Sequence, residues 1–210
     1  MNRQQPLKQM AYLGLLVMLL AGCAGGHDEP AAPPTAPAAN LPRLDGKRAL
    51  FVLYDRFMDT EYSIPRRILE DLGATVTVAS SSPDALLGSA GNKVRPQVLL
   101  PDVATANYDA IVFVGGQNVE SGNPDAHRVA QEAAAAGKVL AAICAARATL
   151  IRAGVVEGRQ PASSGGSQET QQAGSNTSRL SIQDGGLVIV ARGPLESREF
   201  GEAIAMAMGE

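Results

Sequence analysis

The sequence predicts an α/β domain with a doubly wound, mostly parallel sheet flanked by helices. Three observations predict it. Short apolar, β-branched runs alternate with longer amphipathic stretches; the order strand, helix, strand repeats along the chain; and glycines or an Asn-Pro pair punctuate the joins. With 210 residues, 45% of them hydrophobic, the chain can bury one sizeable core once its non-globular ends are set aside.

Arg48 to Tyr54 is the first strand, with Ala49-Leu50-Phe51-Val52-Leu53 reading as fully buried. A polar turn leads to an amphipathic helix over Thr60 to Leu72, which Gly73 closes. Thr75 to Ala79 and Ala110 to Val114 are β-branched runs of the central parallel type, the second ending in Gly115-Gly116. Asn123-Pro124 supplies a cap and a first-turn proline for a helix through Ala136, ended by Gly137. Val139 to Ile143 is the next strand, Cys144 follows at once, and a helix runs on to Ala153 before Gly154. Leu180 to Ile182 and Leu187 to Ala191 flank the turn Asp184-Gly185-Gly186, and Leu195 to Met208 is the closing helix. Ser80 to Tyr108 and Pro161 to Ser178 lack a clear period and read either as functional loops or as small edge hairpins.

The N-terminus reads as an address. Arg3 and Lys8 precede an apolar run from Met10 to Leu20, too short to span a bilayer comfortably but suited to a secretory signal. Leu20-Ala21-Gly22-Cys23 resembles a lipobox, so Cys23 is expected to carry lipid after cleavage before it; an ordinary signal peptide cut near Ala21 is the alternative. Several acyl chains would anchor the protein stably where one would not. Ala24, in place of a retaining Asp, points to the periplasmic face of the outer membrane. The expected organisation is a signal peptide over 1–22, an Ala/Pro-rich tether over 23–46 and the folded domain over 47–210. Pro30, Pro33, Pro34 and Pro37 stiffen the tether, at about 3 Å per residue where polyproline II forms, and His27 lies within it.

A formal charge of -3 without any basic block gives no footprint for nucleic acid, so a small molecule or a protein is the expected partner besides the membrane. Two histidines and two cysteines in unrelated positions make no metal site, and no cofactor is expected.

In open α/β sheets ligands bind beyond the carboxyl ends of the strands, where Cys144 sits between a buried strand and a helix. The helix N-terminus there favours a thiolate. Gly115, Gly116 and Ala145 would present backbone N–H groups to a developing oxyanion. The other reading of Cys144 is a buried, inert cysteine.

Three stretches then resemble the ThiJ/PfpI family of the class I glutamine amidotransferase-like superfamily. They are Asp55-Arg56-Phe57-Met58-Asp59-Thr60-Glu61 with Pro65, Tyr108-Asp109-Ala110 running to Gly115-Gly116, and Gly137 to Cys144. Asp184-Gly185, Ala191-Arg192-Gly193-Pro194 and Glu199-Phe200 are similar to the branch that contains the human Parkinson-associated deglycase. The resemblance implies a flavodoxin-like fold, Cys144 as nucleophile, Glu61 as the carboxyl hydrogen-bonded to its sulfur, and an anion site near Arg192. It also implies a homodimer. Read without it, Glu61 is a carboxylate favoured by a helix N-terminus and Arg192 a surface arginine. Arg147 either lowers the thiol pKa or faces solvent.

The chain departs from the family at the histidines. Ala145 follows the nucleophile where the peptidases have His, which argues against proteolysis, and Ser164 stands where the human-like branch brings a loop histidine. His127 reads as a solvated helix residue rather than a base. Proton transfer would then fall to Glu61 or water. Two functions follow: cysteine chemistry on small reactive carbonyls, of glyoxalase or deglycase type, or a non-catalytic sensor of oxidant, chaperone-like or binding protein in the cell envelope.

Overall fold

The computed structural model describes residues 41–156, 180–183 and 187–210. The signal and lipobox reading with Cys23, the tether to residue 40 with His27, Ser164 and the 161–178 loop, and the Asp184–Gly186 turn lie outside them.

The strands are β1 (Arg48–Val52), β2 (Thr75–Ser80), β3 (Leu86–Leu87), β4 (Lys93–Val94), β5 (Val98–Leu99), β6 (Ala110–Phe113), β7 (Val139–Ile143), β8 (Leu180–Gln183) and β9 (Val188–Ala191). Seven form one sheet in the order β5-β2-β1-β6-β7-β9-β8, parallel throughout except for the antiparallel pair β8–β9. The order reverses direction beside β1, as doubly wound sheets require. The helices are α1 (Asp59–Asp71), α2 (Pro124–Ala135), α3 (Arg147–Arg152) and α4 (Ser197–Gly209). Among the described residues no helix is long and apolar enough to cross a membrane.

Alternation along the strands builds two cores. Phe51, Val112, Ala141 and Ile189 face the layer of α1 and α4. Leu50, Ile111, Leu140 and Val190 face α2 and α3. Because both faces are covered, the strands read as continuous apolar runs.

Several boundaries differ from expectation, each for a local reason. Ser80 to Tyr108 resolves into the β3–β4 hairpin, the edge strand β5 and two single-turn 3-10 helices, elements too short to show a period. The closing helix begins as a separate 3-10 turn over Pro194–Glu196, with α4 starting at Ser197. The folded part also starts ahead of Lys47. Leu44 is fully buried and its N–H donates to the Leu72 carbonyl at 2.8 Å, while Leu41 packs on the same core, so apolar residues counted with the tether cover the ends of α1 and α4.

Two contacts fix α1. At its start the buried Asp59 carboxylate accepts from Ala90 N–H at 2.5 Å, Ser89 Oγ at 3.1 Å and Asn92 N–H at 3.2 Å, tying the β3–β4 loop to the helix. Burial opposes that charge, but the three donors prevail and hold the carboxyl below its usual range. Further along, α4 lies so close that a Cβ on Gly201 would come within 2.8 Å of Pro65 Cα and 2.9 Å of Ile68 Cδ1. Gly201→Val should therefore push the helices apart and destabilise the domain by about 2 kcal/mol, the usual cost of overpacking. Urea denaturation at constant m-value reads this; a midpoint unchanged from wild type would contradict the packing.

Candidate functional site

β7 is buried along its whole length, and the chain leaves it at Cys144 with φ of 58°. A side-chain-bearing residue in this left-handed region costs about 1–2 kcal/mol. Buried Ile143 before it and Ala146 after it hold the turn closed. The strain lifts the half-exposed Cys144 side chain off the carboxyl edge of the sheet, ahead of a 3-10 turn over Cys144–Ala146 and then α3.

Gly115, at the end of β6, is where the site converges. A Cβ there would lie 2.5 Å from Glu61 Oε2, 2.8 Å from Cys144 Cβ and 2.9 Å from the Ile143 carbonyl oxygen. Only glycine lets the carboxyl and the cysteine approach this backbone together. The neighbouring Gly116 adopts φ of +155°, and an antiparallel bridge to Phe57 pins it: Met58 N–H donates to the Gly115 carbonyl at 2.9 Å and Gln117 N–H to the Arg56 carbonyl at 3.0 Å.

Glu61 lies in the first turn of α1 and is wholly buried. The adjacent Tyr62 ring packs edge-on against Phe57 and Phe51, with centroids 5.5 and 5.9 Å away, which holds this turn against β1. Neither carboxyl oxygen has a hydrogen-bond partner of ordinary geometry; the Cys144 thiol and the Gly115 amide are the polar groups that face it. Burial pushes the Glu61 carboxyl up to about 7, the charge of Glu196 adds to this, and the Cys144 and Gly115 donors oppose it.

The thiol also moves up, which corrects the expectation of a thiolate favoured by the helix. Burial and then the charge of Glu61 raise it, and these outweigh the Ala145 N–H and the Arg147 charge. The physical reason is that the sulfur is half-buried beside Glu61, whereas α3 has only six residues and starts beyond a 3-10 turn. Carboxyl and thiol thus resist ionising together and hold a proton between them as a pair.

The other expected site residues are placed as follows. The Gly115 N–H acts on Glu61 and the Ala145 N–H on the sulfur. Gly116 N–H makes no backbone hydrogen bond among the described residues. Arg147 is exposed, with its charge felt at Cys144. Arg192 is exposed just past β9, making no hydrogen bond or ion pair among the described residues. His127 is half-buried on α2 with Nε2 2.7 Å from the Ser121 carbonyl oxygen, a structural contact. Among the described residues no cluster of three or more His, Cys, Asp or Glu side chains could hold a metal ion. Sequence reasoning missed Glu196, buried at the end of the Pro194–Glu196 turn, and the clamp role of Asp59. Each lies in or beside a stretch that carries the family resemblance, but nothing in one-dimensional spacing marks either as buried.

This arrangement is that of a cysteine-centred α/β domain, and comparison with known proteins defines the class. Residues 47–207 match the model of the DJ-1/PfpI family, and the chain belongs to that family. It is 31% identical over 115 residues to a Pyrococcus furiosus protein named deglycase PfpI, covering 54% of this chain and 69% of the relative. It is 30% identical over 165 residues to the zebrafish Parkinson disease protein 7 homolog, covering 75% of this chain and 87% of the relative. Among solved structures, a ThiJ/PfpI domain protein from Brachyspira murdochii superimposes with a TM-score of 0.67 at 22% identity, over 78% of this chain and 98% of its own. DJ-1beta of Drosophila melanogaster gives 0.60 at 24% identity, over 78% and 91%. These structures share the fold.

The Glu61 assignment is testable through stability. Its folded carboxyl titrates near about 7 against 4.5 in the unfolded chain, so between these values the native state binds more protons and stability falls as pH rises, remaining lowered above. Glu61→Gln removes this loss. Relative to wild type the variant should gain about 2–3 kcal/mol across that interval, read by urea denaturation at a series of pH values. A difference independent of pH would show that Glu61 is not buried as described.

Proposed function

We propose that the protein uses Cys144 on small reactive carbonyls, in the manner of a glyoxalase or deglycase. The observation that carries this is the contact of a strained elbow cysteine with a buried carboxyl across Gly115. Relatives named deglycases support the same reading. In the first step the Cys144 sulfur forms a bond to the aldehyde carbon as the carbonyl π bond breaks. The thiol proton passes to the ionised Glu61 carboxylate, and Glu61 returns it to the new alkoxide, giving a hemithioacetal. Gly116 N–H would stabilise the oxyanion while it exists. Both proton movements run through one carboxyl, which suits a group that titrates close to neutrality. Among the described residues no imidazole takes part, His127 being held on Ser121.

Cys144→Ala should abolish consumption of methylglyoxal, and Glu61→Gln should lower kcat/KM by about 10²–10⁴. A proton-resolved assay with the two variants beside wild type checks this. Turnover by Cys144→Ala equal to wild type would overturn the reading.

A second reading, a sensor of oxidant, is favoured by the same contact: a protonated Glu61 could donate to a sulfinate on Cys144. Peroxide titration followed by intact mass would then show Cys144 gaining two oxygen atoms without loss of fold.

We further propose that the protein is exported and anchored through lipid on Cys23. The lipobox-like Leu20-Ala21-Gly22-Cys23 supports this. Cys23→Ser should move the protein from the membrane pellet to the soluble fraction; an unchanged distribution would remove the anchor.

A further inference from the structure

Met58 stands between the Cys144 site and the β3–β4 loop. Its N–H donates to the Gly115 carbonyl at 2.9 Å and its carbonyl accepts from Tyr62 N–H at 3.2 Å, so its backbone belongs to the turn that carries Glu61. Its side chain meets the loop: Ser89 Oγ lies 3.5 Å from Met58 Sδ and 3.1 Å from Asp59 Oδ2. A hydroxyl has one hydrogen to donate, so thioether and carboxylate compete for it. The carboxylate, charged and nearer, is the better acceptor. The same carboxylate accepts from the N–H groups of Ala90 and Asn92, and Ser89 N–H donates to the Phe57 carbonyl at 2.8 Å. Gly88 packs so closely there that a Cβ would strike the Asp59 carboxylate. Asp59 is thus the main tie between loop and helix, and Ser89 is the donor it shares with a sulfur.

Met58 is partly exposed, and Ser89 and Ala90 beside it are exposed. From this juxtaposition we propose that Met58 is an oxidation site separate from Cys144, whose sulfoxide draws the Ser89 hydroxyl from Asp59 and loosens the β3–β4 loop from α1. The oxidant is a hydroperoxide. A sulfur lone pair attacks the terminal peroxide oxygen, an S–O bond forms as the O–O bond breaks, and the other oxygen leaves as water or an alcohol, taking the proton of the transferred hydroxyl. The sulfur loses two electrons and the peroxide gains them. A weak acceptor becomes a polar sulfoxide oxygen, a strong one, and the competition for the Ser89 hydrogen turns against Asp59. Reduction by a methionine sulfoxide reductase restores the thioether, so the change is reversible.

The inference needs neither carbonyl turnover nor oxidation of Cys144, so it fails or holds independently of both. The experiment treats the full chain with hydrogen peroxide and follows it by peptide-level mass spectrometry and amide hydrogen exchange. Met58 should gain one oxygen atom. The Ala90 and Asn92 amides, which bond Asp59, should then exchange about tenfold faster, the effect of losing one hydrogen bond to a charged group. Methionine sulfoxide reductase should return both amides to their starting rates. Met58→Leu takes Cys144 and the exposed Met206 through the same treatment without the sulfur in question, and its two amides should not change. Ser89→Ala should show the faster exchange before any peroxide and gain nothing from it. No oxygen on Met58 at doses that convert Met206, or a Met58 sulfoxide with unchanged exchange, overturns the inference. Equal acceleration in Met58→Leu does so as well.

Discussion

A buried carboxyl without a hydrogen-bond partner is the constraint on which the carboxyl edge of this domain depends. Left ionised in so poor a solvent, Glu61 would cost several kcal/mol. The chain meets that cost by letting the group keep its proton and by setting the thiol and one amide against it. This only works if the three groups approach to contact. That demand explains Gly115, where any side chain would strike Glu61, Cys144 and the Ile143 carbonyl together. It also explains why Cys144 accepts a backbone conformation that almost no other residue here adopts, Arg56 being the only other non-glycine example among the described residues.

The surrounding structure holds Glu61 from three directions. The Tyr62 ring lies against Phe57 and Phe51, fixing the turn of helix against the sheet. Asp59, two residues before Glu61, is anchored in the β3–β4 loop by three donors. From the far side, α4 presses in through Gly201. Pro65 is part of the same device. It lacks the N–H that would bond the Glu61 carbonyl, so the helix gives up one hydrogen bond where it accepts close contact with α4.

The central strands were legible in the sequence because burial on both faces leaves an unbroken apolar run, as in Ala110 to Phe113 and Val139 to Ile143. The cap of α2 was legible too, since Asn123 bonds the N–H groups of its own next residues, Asp125 and Ala126. Partners distant in sequence were not. Asp59 reaches a loop some thirty residues on, and Glu196 becomes relevant only when α4 is laid on α1. The direction of the thiol shift was misjudged for a related reason. A helix N-terminus is visible in the sequence, whereas desolvation and an opposing carboxyl are properties of the packed site. Tyr108-Asp109 shows that a stretch carrying the family resemblance can be structural. It forms part of a family-like motif, yet Asp109 Oδ2 accepts from Arg48 N–H at 2.8 Å, joining the starts of β1 and β6 at the edge opposite the site.

A carboxyl beside a thiol behaves unlike an imidazole. An imidazolium holds a thiolate by opposite charge and loses its grip as pH rises. A carboxyl of midpoint near about 7 does the reverse in sign: while neutral it can donate a hydrogen bond to sulfur, and once ionised it repels the thiolate it was meant to support. Thiolate and useful carboxyl therefore compete for the same pH range, and reactivity depends on how far apart the two ionisations are kept.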